Sequence, residues 1–139
     1  MTKISLITVT YNADKFLETC FASVRAQKDV KIEYIVIDGG STDDTINIIQ
    51  ANKTLISHFI SEKDRGMYDA LNKGISLATG DIIGALNADD VLTSDAILNL
   101  VGQKMTETGA DVLYGDLDYI DPNQNDKVIR HWRSRPYKH

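Results

Sequence analysis

The apolar positions of this chain follow two alternating patterns. Short runs rich in β-branched residues predict buried strands. These runs are residues 4–10, 32–38, 56–61, 82–86 and 112–119. Between them, apolar residues recur at helical spacing, most clearly over residues 67–78. The alternation predicts an α/β fold with a mostly parallel sheet covered by helices on both faces.

Polar residues mark the junctions between these elements. Asn12 or Asp14 is predicted to cap the first helix, and Ser41 or Thr42 the second. After residue 121 the pattern loosens into a predicted turn at 123–126, followed by a predicted edge strand at 128–132.

Acidic residues follow the second and fourth predicted strands. Asp38 ends the second strand, and the adjacent carboxylates Asp89 and Asp90 come directly after the fourth. In open α/β sheets, ligands bind beyond the carboxyl ends of the strands, and carboxylate oxygens suit divalent cations. We therefore predict a divalent-metal site for a phosphorylated ligand there, although Asp-Asp pairs also occur in solvated turns and helix starts.

Charge and length limit the function classes. The 139 residues suffice for about one domain, with a formal charge of −5. Residues 1–126 carry 10 basic and 20 acidic residues, which disfavours nucleic-acid binding. The basic segment 127–139 is read as a solvated tail, while contact with phosphates or peripheral association with an anionic membrane stays open.

Cysteine usage and hydropathy show which sites and signals the sequence lacks. Cys20 is the only cysteine, so the sequence offers no intrachain disulfide and no cysteine-based metal cluster. Because Cys20 lies on an apolar helical stripe, we predict core packing for it rather than catalysis. The sequence has no run of 18 apolar residues and no visible export signal.

The loop after the first strand excludes two common nucleotide-binding classes. It contains Tyr11 and Asn12, with neither a glycine-rich dinucleotide fingerprint nor a phosphate loop. A dinucleotide-dependent dehydrogenase or an ATPase is therefore disfavoured. Tyr11 could stack on a base and Asp38 could accept from its N–H groups, which suits a nucleoside diphosphate held by a metal.

Four blocks of sequence resemble the successive motifs of glycosyltransferase family 2. They are residues 9–12, residues 36–43, residues 64–66 with 72–74, and residues 86–90, within a resemblance over about residues 3–120. The resemblance implies the Rossmann-like GT-A fold of nucleotide-diphospho-sugar transferases. It also implies a nucleotide-sugar donor, Mg²⁺ or Mn²⁺, and inversion at the anomeric carbon by direct displacement.

The same resemblance implies a role for individual residues. Those assigned to the nucleotide are Thr10, Tyr11, Asn12, Asp38, Gly39, Asp64, Arg65, Asn72, Asn87, Ala88 and Asp90. Thr10 and Tyr11 line the base pocket, and the loop with Asp64, Arg65 and Gly66 closes over the nucleotide. Asp89 is the implied metal ligand. For Asn72 and Lys73, simple exposure on a helix surface remains an alternative.

Two positions depart from the family pattern. Many members carry an acidic residue where this chain has Gly39, so we expect Asp38 to make the base contact alone. Many also carry Asp where this chain has Asn87, whose amide can bond a ribose hydroxyl but brings no charge to a metal. We therefore expect metal binding mainly through Asp89 and the donor's own phosphates.

The catalytic base is not identified. In the family it is a carboxylate in a later segment, and nothing up to His139 matches it, while Asp116 and Asp118 are read as site-lining or structural. We expect residues 1–121 to form the donor domain and residues 122–139 to be the incomplete start of an acceptor-side segment or a basic tail. Such a chain would bind nucleotide without turnover.

Partners and alternatives follow from the same resemblance. It implies a glycan or lipid-linked acceptor, a role in cell-surface polysaccharide synthesis, and a place in the cytoplasm or at the inner face of the membrane; the oligomeric state stays open. A nucleotidyltransferase is one alternative, although its usual glycine- and lysine-bearing loop after strand one is absent. A non-catalytic nucleotide-sugar-binding module is the other.

Overall fold

The computed structural model describes residues 2–121 and 123–136 and forms two compact units, Met1–Lys104 and Met105–His139. The elements are β1 (Lys3–Thr10), α1 (Leu17–Arg25), β2 (Lys31–Asp38), α2 (Thr45–Ala51), β3 (His58–Ser61), α3 (Met67–Leu77), β4 (Ile82–Ala85), α4 (Ile97–Thr108), β5 (Leu117–Asp121) and β6 (Gln124–Trp132). The predicted alternation of strand and helix is confirmed through α4, in which the boundary between the units lies.

The first unit contains a parallel sheet with the strand order β3-β2-β1-β4. Side chains alternate between its two faces, as the pleat of a strand requires. On one face, Leu6, Tyr34 and Val36 pack with residues of α1, α2 and α4. On the other, Ile7 and neighbouring isoleucines of β2 pack with α3. The central strands β1 and β2 are therefore buried on both faces, which fits the continuous apolar run of β2, whereas β4 is partly exposed.

Cys20 and α3 show how well the helical stripes were predicted. Cys20 is fully buried in the core, as predicted. In α3 the predicted stripe is only partly buried: Ala70 and Gly74 face the sheet, whereas Met67 and Ile75 are exposed. A Cβ on Gly74 would lie 2.6 Å from Ile7 Cγ2, so the missing side chain permits the close approach of α3 to the sheet.

The predicted helix caps are wrong. The α1 helix begins after Phe16 and the α2 helix after Asp44, and neither of these N-cap residues makes a side-chain capping bond. Asn12 and Ser41 instead bond within and between the loops that follow β1 and β2. Tertiary partners have displaced the local capping interaction that the sequence suggests.

The second unit contains an antiparallel pair, β5 and β6. The predicted fifth strand at 112–119 is wrong in its bounds, because Val112 and its neighbours up to residue 116 belong to no strand, and the pairing with β6 starts at Leu117. The predicted edge strand at 128–132 lies within β6, and the predicted turn shrinks to Asn123 because residues 124–126 join that strand.

Polar contacts hold this pair of strands together. The Asp116 carboxylate accepts hydrogen bonds from Ser134 N and Oγ at 2.7 and 2.8 Å, and Asp118 pairs with His131. Of the two readings offered for Asp116 and Asp118, these contacts support the structural one.

Some sequence-based boundaries are not tested. Pro122 and residues 137–139 of the basic segment lie outside the described residues. The division at residue 121 was drawn on function and stays a prediction. Among the described residues, no helix combines the length and the apolar character that crossing a bilayer requires.

Candidate functional site

The sheet order creates a switch point at β1. The chain leaves β1 toward β2 on one side, and β4 later pairs with β1 on the other. In open α/β sheets, the crevice beyond the carboxyl ends of two such strands is where ligands bind. Three of the four sequence blocks follow β1, β2 and β4 directly, so the topology brings them to one edge of the sheet.

Asp38 ends β2 and is completely buried. Its carboxylate accepts five hydrogen bonds, which come from Thr10 Oγ1, Gly40 N, Ser41 N, Ser41 Oγ and Ser61 Oγ. Burial alone would raise the pKa of Asp38, but the bonds from Ser41, Thr10 and Ser61 lower it below its usual value. Both carboxylate oxygens thus accept hydrogen bonds from the protein itself. The contact of Asp38 with a base stays a prediction, and it would have to replace one of these bonds.

The block after β1 divides into structural and accessible residues. Thr10 is buried against Asp38. Asn12 adopts a left-handed conformation (φ 48°), and its Oδ1 accepts from Thr42 N at 2.8 Å, which ties this loop to the one after β2. Tyr11, by contrast, is 65% exposed at the end of β1. Of the three predicted residues, Tyr11 offers a surface on which a base can stack.

Asp64 in the loop before α3 reaches the end of β2. Its Oδ1 accepts from Gly66 N at 2.9 Å, and Gly66 has a φ of 110° that favours glycine. A Cβ on Gly39 would lie 2.8 Å from Asp64 Oδ2 and 3.2 Å from Cγ. The structure therefore brings the predicted site residues Gly39 and Asp64 into direct apposition.

Other residues of this segment stay on the surface. Arg65 N donates to Asp69 Oδ2 at 2.9 Å while the Arg65 residue is exposed. Lys73 pairs with Glu62 at 3.0 Å and with Asp69 at 3.7 Å, so its ammonium is engaged on the helix. Asn72 is exposed, and its side chain makes no hydrogen bond in the described part of the chain. These contacts favour the helix-surface reading for Asn72 and Lys73.

The block after β4 alternates between buried and exposed residues. Leu86 and Ala88 are buried, whereas Asn87, Asp89 and Asp90 are exposed. Leu86 N donates to Ile7 O at 2.9 Å, which anchors the block to β1. Partial desolvation of its carboxyl raises the pKa of Asp90, the charge of Asp89 raises it further, and a hydrogen bond from Asn87 partly offsets both effects. The two carboxylates repel each other, and a bound cation would relieve this repulsion.

These carboxylates fit a divalent cation that a phosphorylated ligand completes. Within residues 2–121 and 123–136, no group of three or more His, Cys, Asp or Glu side chains could hold a metal by itself. Mg²⁺ typically takes one or two carboxylates and fills its remaining positions with water and substrate phosphates. Asp89 and Asp90 suit that arrangement, whereas they would not form an all-protein metal cage.

Sequence reasoning missed Ser61 and the part that Ser41 plays. Both serines donate to Asp38, and Ser61 does so because β3 pairs with β2 in the register that places it beside Asp38. A strand ending in serine is a weak signal in sequence, since the register of neighbouring strands is set only in the folded sheet.

Residues 5–139 match the profile described as Glycosyl transferase family 2, which is nearly the whole chain. The chain belongs to glycosyltransferase family 2. The family assignment made from the four sequence blocks is thereby confirmed.

Curated relatives include a mycobacterial glycosyltransferase and a chondroitin synthase. The chain is 36% identical over 119 residues to a PGL/p-HBAD biosynthesis glycosyltransferase of Mycobacterium bovis, covering 81% of this chain and 46% of that protein. It is 37% identical over 97 residues to a chondroitin synthase of Escherichia coli, covering 68% of this chain and 14% of that protein. The chain thus spans less than half the length of either relative.

Solved structures confirm the GT-A fold. TarS of S. aureus superposes with a TM-score of 0.71 at 25% identity, covering 79% of this chain and 20% of TarS. The mannosyltransferase PcManGT of Pyrobaculum calidifontis, solved with GDP-Man and Mn²⁺, has a TM-score of 0.65 at 24% identity and covers 88% of this chain and 36% of that enzyme. At 24% identity, the likeness to PcManGT concerns the fold alone.

Proposed function

We propose that this family 2 chain binds the donor in an inverting glycosyltransferase, which moves a sugar from a nucleoside diphosphate to the hydroxyl of a glycan or lipid-linked acceptor. One observation carries the proposal. The exposed ring of Tyr11 and the acidic pair Asp89-Asp90 follow β1 and β4, the adjacent strands at the switch point of the sheet. A stacking surface and a cation-binding surface thus flank one crevice, as a base joined to a diphosphate requires.

The residues of this site would divide the work. Tyr11 stacks on the base, and Asn87 bonds a ribose hydroxyl through its amide. Asp89 and Asp90 would hold a divalent cation together with the donor's phosphates, with Asp89 as the principal ligand. When bound, Mg²⁺ or Mn²⁺ would neutralise the charge that develops on the departing nucleoside diphosphate. The solved relatives lend support, since one TarS structure contains UDP-GlcNAc and the PcManGT structure contains GDP-Man and Mn²⁺.

Asp38 and Asn12 would support the site indirectly. Asp38 holds the backbone of Gly40 and Ser41, and Asn12 holds Thr42 N, so together they fix the loop beside Tyr11. A rigid loop keeps the crevice open without a ligand, which lowers the entropic cost of binding.

The acceptor side of the reaction needs a carboxylate that takes the proton of the acceptor hydroxyl. We assign none within residues 2–121 and 123–136, because Asp116 and Asp118 are engaged with Ser134 and His131. We therefore propose nucleotide binding for this chain and sugar transfer for the whole enzyme. Because sugar nucleotides are cytoplasmic, we propose that the donor site lies in the cytoplasm or at the inner face of the membrane and that the product class is surface polysaccharide.

Thermal denaturation with UDP, GDP or dTDP, each with and without Mn²⁺, tests the donor site. A ligand at 100 times its Kd stabilises the folded state by about 2.7 kcal/mol, which raises the melting temperature measurably. We expect stabilisation by at least one nucleotide that depends on Mn²⁺. Asp89→Asn should weaken the metal-dependent part by about tenfold or more in Kd, because one of very few protein ligands loses its charge.

A matched control lies at the other end of the same strand. Asp81 precedes β4 and its Oδ2 accepts from Lys3 N, a bond that Asp81→Asn can keep through its amide oxygen. This variant removes the same charge far from the carboxyl ends and should bind as the unaltered chain does. If no nucleotide stabilises the chain with Mn²⁺, the proposed function is wrong; if Asp89→Asn and Asp81→Asn behave alike, the ligand assignment is wrong.

A further inference from the structure

Two carboxylates lie near the end of β2, and they differ in how many hydrogen bonds they already accept. Asp38 accepts five hydrogen bonds and is buried. Asp64 is half-buried, and its Oδ1 accepts from Gly66 N at 2.9 Å. In the described part of the chain, Asp64 Oδ2 accepts no hydrogen bond. Of the two acids, Asp64 is thus the one with an oxygen available to a ligand.

The Asp64 carboxylate lies in the space beside Gly39, which has no side chain. A Cβ on Gly39 would come within 2.8 Å of Asp64 Oδ2, a separation that real Cβ contacts essentially never show. The Asp64 carboxylate therefore fills the space that a side chain at residue 39 would occupy. A carboxylate reaches this point from the β3–α3 loop instead of from β2 itself.

This position lies beside the proposed base-stacking surface. In the parallel register Thr10 pairs with Asp38, and Gly39 N donates to Thr10 O at 2.9 Å. Tyr11 and Gly39, the residues that directly follow the two strands, are therefore neighbours at this edge of the sheet. A base stacked on Tyr11 would therefore lie near Gly39 and the Asp64 carboxylate beside it.

We propose that Asp64 is the residue that reads the nucleobase, with Oδ2 accepting a hydrogen bond from a ring N–H such as N3–H of uracil or N1–H of guanine. The inference rests on the proposed function and assigns base selection within it. A carboxylate accepts and cannot donate, so it favours bases with a ring N–H and disfavours those with a bare ring nitrogen at that edge. The bond from Gly66 N fixes the carboxylate before the base arrives.

Methylated nucleotides provide the test, with Kd measured calorimetrically in Mn²⁺. N3-methyl-UDP and N1-methyl-GDP keep the diphosphate and the ring but lack the N–H. We expect the unaltered chain to bind the preferred parent nucleotide about 10- to 100-fold more tightly than its methylated form, the range for a hydrogen bond to a charged group. In Asp64→Asn, which can still accept from Gly66 N, this ratio should fall to near one while the dependence on Mn²⁺ persists.

Relocating the carboxylate gives a second readout. The double variant Asp64→Ala/Gly39→Asp removes the steric conflict and returns an acid to the rim from β2. We expect it to regain discrimination against the methylated nucleotide, whereas Asp64→Ala alone should not. Asp81→Asn should keep the full ratio, and unliganded melting curves report whether each variant is folded.

The outcomes separate the two proposals. If the unaltered chain binds no nucleoside diphosphate, the proposed function fails. If it binds UDP or GDP with Mn²⁺ and Asp64→Asn keeps the full ratio between parent and methylated forms, the donor site stands and the assignment of Asp64 is overturned. A ratio near one in the unaltered chain overturns the assignment as well.

Discussion

Removing the carboxylate of Asp38 should destabilise the first unit strongly. In Asp38→Ala, the three hydroxyl donors can rotate toward other acceptors, but the backbone N–H groups of Gly40 and Ser41 cannot. An unsatisfied buried donor costs about 1–3 kcal/mol. Since these two amides are only half-buried, we expect a total loss of about 2–4 kcal/mol. Asp38→Asn should lose about half as much, because its amide oxygen can keep both N–H groups.

Urea denaturation followed by circular dichroism measures this loss. With an m-value of about 2 kcal/mol/M, the midpoint for Asp38→Ala should fall by about 1–2 M at unchanged m. Asp111→Ala is a suitable control, because Asp111 is exposed, accepts no hydrogen bond in the described part of the chain, and should change stability by less than about 0.5 kcal/mol. Equal midpoints for the two variants would refute the structural role of Asp38.

The same variants test the predicted base contact of Asp38. If Asp38 acts by holding the loop, folded Asp38→Asn should bind UDP or GDP with Mn²⁺ within a few-fold of the unaltered chain. Loss of nucleotide binding without loss of stability would instead place Asp38 on the nucleotide.

Two further predictions concern packing and pH. Gly74→Ala should lower the free energy of unfolding by about 1–2 kcal/mol, because overpacking against buried Ile7 outweighs the gain in helix propensity. In Gly102→Ala the new Cβ would lie 3.8 Å from its nearest neighbouring atom, so urea denaturation should show a gain of up to about 1 kcal/mol. Equal effects at the two glycines would contradict the packing argument. Burial would raise the pKa of Glu33, but hydrogen bonds from Ser5 and Thr79 lower it to about 2. The ionised Glu33 therefore stabilises the folded state fully above about pH 5, and this contribution is lost as the pH falls toward 2. Glu33→Gln should flatten the fall in melting temperature over that range, and an unchanged slope would count against this linkage.

The sequence predicted the centre of the sheet well because β1 and β2 are buried on both faces. Runs such as residues 32–38 leave few other structures in which so many β-branched residues can be buried. The four blocks also identified the family, since each follows a strand whose end is fixed by the fold. By contrast, the run at residues 112–119 does not show where the strand begins, and only pairing with β6 sets the bounds of β5.

The roles of individual site residues were harder to predict. Asn12 and Ser41 have the side chains of helix caps, but nearby loops provide stronger partners for them. The apposition of Gly39 and Asp64 joins two loops that are 25 residues apart, and no local pattern encodes it. Sequence therefore located the site by its strand ends and could not divide its residues between binding the ligand and supporting the loops.

The order of the strands also has a consequence for biosynthesis. Of the four strands of the sheet, β1 is translated first, whereas β4, its neighbour on the other side, comprises residues 82–85. Until that segment leaves the ribosome, one side of a β-branched strand has unpaired backbone groups, which is the kind of edge that recruits other chains. Because β1 waits for β4 through the synthesis of α1, β2, α2, β3 and α3, we expect slow translation or stalling before residue 82 to favour aggregation over folding.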